Sequence, residues 1–566
     1  MKELLLRLFL MPVIASEVIL ASVFINILAL AGPLFVMQVL NRYVSQGVDA
    51  TLLTLVSGVL IAITLEFSLR QARLRLARGV SVAPDEMAAI KSFNTLTRAR
   101  VAALDQVPPE TRREMVNGGA SVEAAYNANN ITTIMDVPFS LIFVFVLYLL
   151  SPLIALIVVG FLIAVFCVGL FSSFAAKART AELQKASGEG SALLGTITRE
   201  GDTLRAFNAG DFLRQAWAQH TYIIQKLRRD MTSSQGLIQT ITQTANGLLS
   251  VAVIGVGATL AVRGELDVGA MIGANILAAR ALQPISKFSQ LGTAFAKARQ
   301  ALDLFKQLGT LPVEADSGSA VADYKGGVEF RDLAFAFPGG TSPMFESLSL
   351  KLPPGSVLVV TGSNGTGKTT LARLLSGLLE PSRGQILVDG LDLMQIAPEW
   401  WRKQIIYLPQ EPALINASIG ENLSINNPGL ETPQLNQIVQ AAGLRKFLDE
   451  SEHGFETPII DNGWRLSEGI RRRIALARAL ATHGKLAIID EPTESLDAEG
   501  CAAVHAVLGQ LVKQGCTVII MSHDRSIVRG PRIVLDINEK PEPKIVRIEA
   551  GNSDSVQAAP QRGKAG

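Results

Sequence analysis

Six long apolar runs crowd the first half of this 566-residue chain, and they limit its fold more than any other feature. They cover residues 18–40, 52–69, 137–150, 153–174, 237–262 and 268–291. At ~1.5 Å per residue, most of them reach across a ~30 Å hydrocarbon core. A buried soluble core accounts for one or two such runs, but not for six in one half of a chain. Charged residues make up only 18% of the sequence, where a quarter is usual. A chain of this length also exceeds a single core, so several domains are expected. The expectation is a membrane-spanning α-helical domain over residues 1–310, with six spans. A net charge of +2 gives no basis for a nucleic-acid partner.

Lysine and arginine fix the expected orientation. The links after the first, third and fifth runs are short and carry little positive charge. The long links after the second and fourth carry Arg70, Arg73, Arg75, Arg78, Arg112 and Arg113, then Lys177, Arg179, Arg214, Arg228 and Arg229. These belong in the cytoplasm, together with both chain ends. Their helical periodicity predicts helices that continue well beyond the bilayer. Each reverses at a short segment, near residues 108–118 and 205–212, placed to press on a cytoplasmic domain. Arg280 falls inside the sixth run and Glu66 near the end of the second. Each either faces a polar cavity or partner, or lies where its helix has already left the membrane. The three cysteines, Cys167, Cys501 and Cys516, have no spacing suited to zinc or a disulfide framework. The N-terminus does not read as a cleavable signal.

Residues 311–326 are rich in Pro, Gly, Ser and acids and read as a linker. From residue 327 to about 550 the pattern alternates strands and helices, an α/β domain. The tail, 551–566, is polar and expected to be disordered. Within the α/β half, Thr361 to Thr370 reads TGSNGTGKTT. This matches G-x-x-x-x-G-K-[ST], after an apolar strand and before a helical pattern, as a phosphate-binding loop requires. Gly362, Ser363, Asn364, Gly365, Thr366, Gly367, Lys368, Thr369 and Thr370 are therefore the candidate nucleotide contacts. Glycines let backbone N–H groups crowd around phosphate oxygens, and a helix N-terminus adds a positive dipole end. Lys368 would reach the β/γ-phosphates of ATP and Thr369 would hold Mg²⁺.

Further along, a buried-strand run at 486–489 ends in Asp490 and Glu491. The first suits the metal shell and the second the base for an attacking water. His523, past another strand, is placed to meet the γ-phosphate. Gln410 ends a third strand, where it can meet Mg²⁺ or water and sense the membrane half. Phe337 either stacks on adenine or is a core aromatic.

With Leu466-Ser467-Glu468-Gly469-Ile470-Arg471 the α/β half resembles the ATPase domain of ATP-binding cassette (ABC) transporters. The order of Phe337, the phosphate loop, Gln410, this signature, Asp490-Glu491, Ser495-Leu496-Asp497 and His523 matches that family throughout. The resemblance implies that Ser467 and Gly469 close over ATP held by an opposite subunit. It therefore implies a dimer of half-transporters, either a homodimer or a heterodimer. The first apolar run, Met135-Asp136-Val137-Pro138-Phe139 and Ala279-Arg280-Ala281-Leu282-Gln283-Pro284 are similar to type I secretion exporters. That resemblance implies a bacterial inner-membrane protein that moves proteins or peptides outward. It also implies a periplasmic adaptor and a TolC-type outer-membrane channel as partners. The first span begins too early for an N-terminal peptidase-like domain, which points to the subgroup that exports proteases and similar cargo through an uncleaved C-terminal signal. An exporter of lipid or small molecules and a largely regulatory half are the alternative readings.

Two departures stand out. Glu468 replaces the first glycine of the usual Leu-Ser-Gly-Gly-Gln, with Ile470 for the glutamine, and Glu494-Ser495 replaces the usual Ser-Ala. A carboxylate 4 Å from a γ-phosphate costs from ~1 kcal/mol in water to ~4 kcal/mol at an effective dielectric of 20. The composite site using this signature is therefore expected to be weak unless Arg471, Arg472 or Arg473 offsets the charge.

Overall fold

A computed structural model describes residues 2–44, 47, 49–315, 317–319, 323–339, 343–524, 527, 532–540 and 542–548. The expected disordered tail lies outside the described residues. The contacts divide the chain into two units, one of residues 1–99 and 104–311, the other of residues 100–103 and 312–566.

Among the described residues, every regular element of the first unit is a helix. A short helix, α1 (Lys2–Leu10), leads into α2 (Pro12–Leu28) and α3 (Ala31–Gln38). Then come α4 (Asp49–Arg98), α5 (Ala128–Asp136), α6 (Ser140–Leu150), α7 (Pro152–Arg199), α8 (Gly210–Val262), α9 (Val268–Gln290) and α10 (Gly292–Gly309). Among the described residues, six stretches are long and apolar enough to cross a membrane. Three of the helices, α4, α7 and α8, run for 50, 48 and 53 residues. At ~1.5 Å per residue each is over 70 Å long, more than twice a hydrocarbon core. The links therefore are helical extensions, as periodicity predicts. They reverse through a short helix at Pro109–Asn117 and through another at Gly201–Ala206, followed by a turn in which Asn208 has φ +53°.

Two spans differ in detail from the sequence reading. The first is interrupted at Ala29–Leu30, because Pro33 has no N–H to donate back to Ala29. The third is completed by α5, since residues 137–150 alone cover only ~21 Å and the backbone turns at 137–139, around Pro138. Small residues let α9 sit close to its neighbours. A Cβ added at Gly273 would lie 2.2 Å from the Met37 Cγ, so a larger residue here would force the Met37 side chain to move. The apolar window of α4 is not buried in the chain at all, an arrangement suited to lipid.

Among its described residues, the second unit holds two sheets. One has the order β2-β1-β4-β5, with β1 (Val328–Phe335), β2 (Phe345–Leu352), β4 (Arg383–Val388) and β5 (Leu391–Asp392), all antiparallel. The other has the order β10-β9-β3-β8-β7-β6. Its members are β3 (Val357–Thr361), β6 (Ile405–Leu408), β7 (Leu486–Asp490), β8 (Thr517–Met521), β9 (Arg532–Asp536) and β10 (Lys544–Ile548). It is parallel apart from the β9–β10 pair. Every residue of β3, β7 and β8 is buried, which is why they read as unbroken apolar runs. In such sheets, ligands bind beyond the carboxyl ends of the strands.

Part of the expected linker is packed rather than free. Ser319 bridges to Ile396, Glu314 pairs with Arg402 at 2.5 Å, and Tyr324 is buried edge-on to Trp401. An aromatic ring gains more from burial than a flexible spacer permits.

Candidate nucleotide site

The loop after β3 turns into α11 (Lys368–Leu375) through Gly365 at φ +80° and Gly367 at φ +113°. Both angles are in the left-handed region, which residues with a Cβ enter only with strain. The turn delivers Lys368 at the first position of α11, with its ammonium folded over the loop. Its Nζ donates to the Gly362 carbonyl at 2.7 Å and lies 3.0 Å from His523 Nε2 and 3.2 Å from Glu491 Oε1. His523 Nε2 is also 3.3 Å from Glu491 Oε1 and 3.1 Å from Asn364 Oδ1. Lysine, glutamate and histidine from three segments thus meet at the loop.

Thr369 donates its hydroxyl to Gln410 Oε1 at 3.3 Å. Asp490, at the end of β7, is fully buried, and neither of its oxygens has a hydrogen-bond partner of sound geometry. Burial pushes its carboxyl above the usual range; the Thr369 hydroxyl opposes this, Glu491 and Glu494 add to it, and Lys368 opposes it. A buried carboxylate beside other carboxylates is costly unless a cation meets it. The threonine hydroxyl, glutamine carboxamide and aspartate supply the oxygen donors that Mg²⁺ prefers, so the residues present fit that ion. Thr366 donates to the Ser363 carbonyl at 2.8 Å within the loop, and Thr370 is buried on α11.

The signature begins a helix. Ser467 is the N-cap of α12 (Glu468–Leu480), its oxygen accepting from the Ile470 N–H at 3.4 Å. Gly469, the second residue of α12, lies near the Ser495 carbonyl and Leu496. The contacts of Ser467 and Gly469 tie them to this helix and to the 495–496 turn, not to the phosphate loop of the same chain. Phe337 is 45% exposed and sits edge-on to the buried Phe335, centroids 5.0 Å apart, leaving a ring face open for stacking.

Two participants were not legible in the sequence. Asn538 accepts the Ser363 N–H at 2.8 Å, holding the loop from beyond β9. A single asparagine after an apolar run carries no signal for this. Arg472, 5% exposed on α12, donates to the Glu491 carbonyl at 2.9 Å. Among three consecutive arginines, nothing in the sequence marks which one turns inward.

Comparison with known proteins agrees with this arrangement. The family model described as ABC transporter matches residues 345–494, and the ABC transporter transmembrane region matches residues 15–285. The chain is an ABC transporter. It is 28% identical over 534 residues to the leukotoxin translocation ATP-binding protein LktB of Mannheimia haemolytica, covering 91% of this chain and 73% of the relative. It is 29% identical over 546 residues to the alpha-hemolysin translocation ATP-binding protein HlyB of Escherichia coli O157:H7, covering 92% and 74%. The fold is shared with a bacterial Atm1-family ABC exporter solved with ATP bound, at a TM-score of 0.81, 20% identity and 94% coverage of both chains. The transporter is embedded in the membrane, binds nucleotide and is an ATPase.

A second site lies in the membrane unit of the transporter. There α8 and α9 line a cavity of about 400 Å³ with Thr242, Gln243, Asn246, Arg280, Gln283 and Gln290. Arg280 lies 3.8 Å from Glu66, which also pairs with Arg70 at 2.5 Å. Arg280 thus has both a polar cavity beside it and a carboxylate partner in Glu66.

Proposed function

We propose that this chain is one half of an ATP-driven exporter of the bacterial inner membrane, secreting a protein or peptide by the type I route. It works as a dimer, with the homodimer as the simplest form. A periplasmic adaptor and a TolC-type outer-membrane channel complete the path. The observation that carries the reading is the meeting of Lys368, Glu491 and His523 over the loop beside the unmatched Asp490. The secretion route is supported by the relatives, whose names state translocation of leukotoxin and alpha-hemolysin.

In this reading Lys368 gives up the Gly362 carbonyl and holds the β/γ-phosphates of ATP, and Phe337 stacks on adenine. Bound Mg²⁺ supplies positive charge at the phosphate oxygens, and Thr369, Gln410 and Asp490 are the residues that hold it. Glu491 accepts the proton of the attacking water, and His523 donates to the γ-phosphate. Ser467 and Gly469 complete the corresponding site on the opposite subunit. The cavity wall of Gln, Asn, Thr and Arg side chains suits the amides of a hydrated polypeptide better than lipid tails.

The test is ATP turnover of the full chain in lipid nanodiscs, with and without synthetic C-terminal segments of secreted proteins that lack a cleavable leader. Peptide stimulation of about twofold or more is expected. A response to lipid composition alone would transfer the reading to lipid export.

A further inference from the structure

The two acidic departures in the ATPase unit share one counter-charge. Arg472 donates from Nε to Glu468 at 3.3 Å and from Nη2 to Glu494 at 3.1 Å. Its third bond, from Nη1, goes to the carbonyl of Glu491 at 2.9 Å. The neighbouring arginines point elsewhere. Arg471 lies over the Trp464 ring, 4.9 Å from its centroid, and Arg473 donates to Asp497 at 2.6 Å and to the Gly443 carbonyl at 2.8 Å. Only Arg472 is buried among the three, so its charge needs these carboxylates.

The bond to Glu491 falls at a strained place. Glu491 has φ +45°, a left-handed conformation that a non-glycine residue keeps only when its surroundings impose it. Its N–H donates to the Met521 carbonyl at 2.9 Å, and its own carbonyl is held by Arg472. The two peptide groups that flank Glu491, and so aim its carboxylate, are thus both held. From the other end, Glu494 accepts from Gln410 Nε2 at 3.3 Å, and Gln410 accepts from Thr369. A continuous path therefore runs from Thr369 through Gln410, Glu494 and Arg472 to the backbone of Glu491.

We propose that Arg472 is a positioning residue for ATP hydrolysis, acting through the Glu491 backbone and, by way of Glu494, through Gln410. Glu468 and Glu494 serve as its counter-charges within the chain rather than as repulsive groups facing a γ-phosphate. The inference rests on the reading of Glu491 as the base. Its consequence is that the acidic signature is compatible with turnover by two copies of this chain.

The test uses the full chain in nanodiscs, with kcat and KM for MgATP measured for Arg472→Gln, Arg472→Lys, Glu494→Ser and the Arg472→Gln/Glu494→Ser pair. Arg472→Gln should lower kcat by about tenfold or more with KM within about threefold, the pattern of an interaction made only on the way to the transition state. Arg472→Lys should recover part of the loss. Adding Glu494→Ser to Arg472→Gln should also recover part of it, because the stranded carboxylate is gone. Wild-type kcat in Arg472→Gln, or a rise in KM that accounts for the whole change, would overturn the proposal. If Arg472→Gln does not fold, Arg472→Lys decides: a fall of about threefold or more at unchanged KM supports it, and unchanged kcat overturns it. Glu491→Gln is run alongside; brisk hydrolysis there would remove the base assignment itself, independently of what Arg472 does.

Discussion

In the membrane unit, buried arginines are closed off by carboxylates that fit them; in the ATPase unit, Asp490 is buried with both oxygens unmatched. Arg73 makes a two-pronged contact with Asp136, at 2.6 and 3.1 Å, and also donates to Ser22 at 3.1 Å. Arg7, 2% exposed, pairs with Asp85 and Glu3 and lies over the Tyr126 ring. These contacts join α1, α2, α4 and α5 and neutralise both arginines, leaving one buried atom of each pair, Arg73 Nε and Asp85 Oδ2, without a partner, whereas Asp490 has neither oxygen matched. Asp490 instead keeps a charge deficit that an incoming cation relieves. A closed pair serves the fold, whereas an open group serves binding, and the cost of the second is borne by the packing around it.

The sharpest way to break this comparison is to open a closed pair. Arg73→Met leaves the Asp136 carboxylate without its partner and should cost about 3 kcal/mol, near the lower end of the range for broken buried pairs, since Asp136 is 22% exposed. The double variant Arg73→Met/Asp136→Leu should recover most of that loss in thermal unfolding of the reconstituted chain. No recovery would mean that the pair does more than satisfy itself.

The converse, closing the open group, has a smaller effect of opposite sign. Asp490→Asn should stabilise the nucleotide-free chain by about 1–2 kcal/mol while abolishing MgATP hydrolysis. The sign follows from the raised carboxyl. As pH rises above the ordinary aspartate value, the unfolded side chain ionises while the folded one still holds its proton, so the folded state loses stability until the raised value is passed. The gain from Asp490→Asn should therefore grow as pH rises above the ordinary aspartate value and vanish below about pH 4. A gain that persists in acid would show that burial of charge is not its origin.

Local signals made much of this legible in advance. The phosphate loop, the strands ending in Asp490-Glu491 and before His523, and the six apolar runs all rest on short-range pattern. Pairings across long separations were not readable: Arg7 with Asp85, Arg73 with Asp136, Asn538 with the loop. Periodicity says which face of a helix is buried, but not which charge will meet which across the fold. The interruption at Ala29–Leu30 was available from Pro33, but hydropathy alone runs straight through it. Arg472 stayed hidden because its three acceptors become neighbours only when α12 packs against the turn after β7.

The most direct measurement is MgATP binding and turnover by the Glu491→Gln variant of the full chain in nanodiscs. Turnover should fall by about 10²–10³-fold, the weight of a positioned general base, while ATP stays tightly bound. Hydrolysis at the wild-type rate would contradict the assignment of Glu491 and the site built around it.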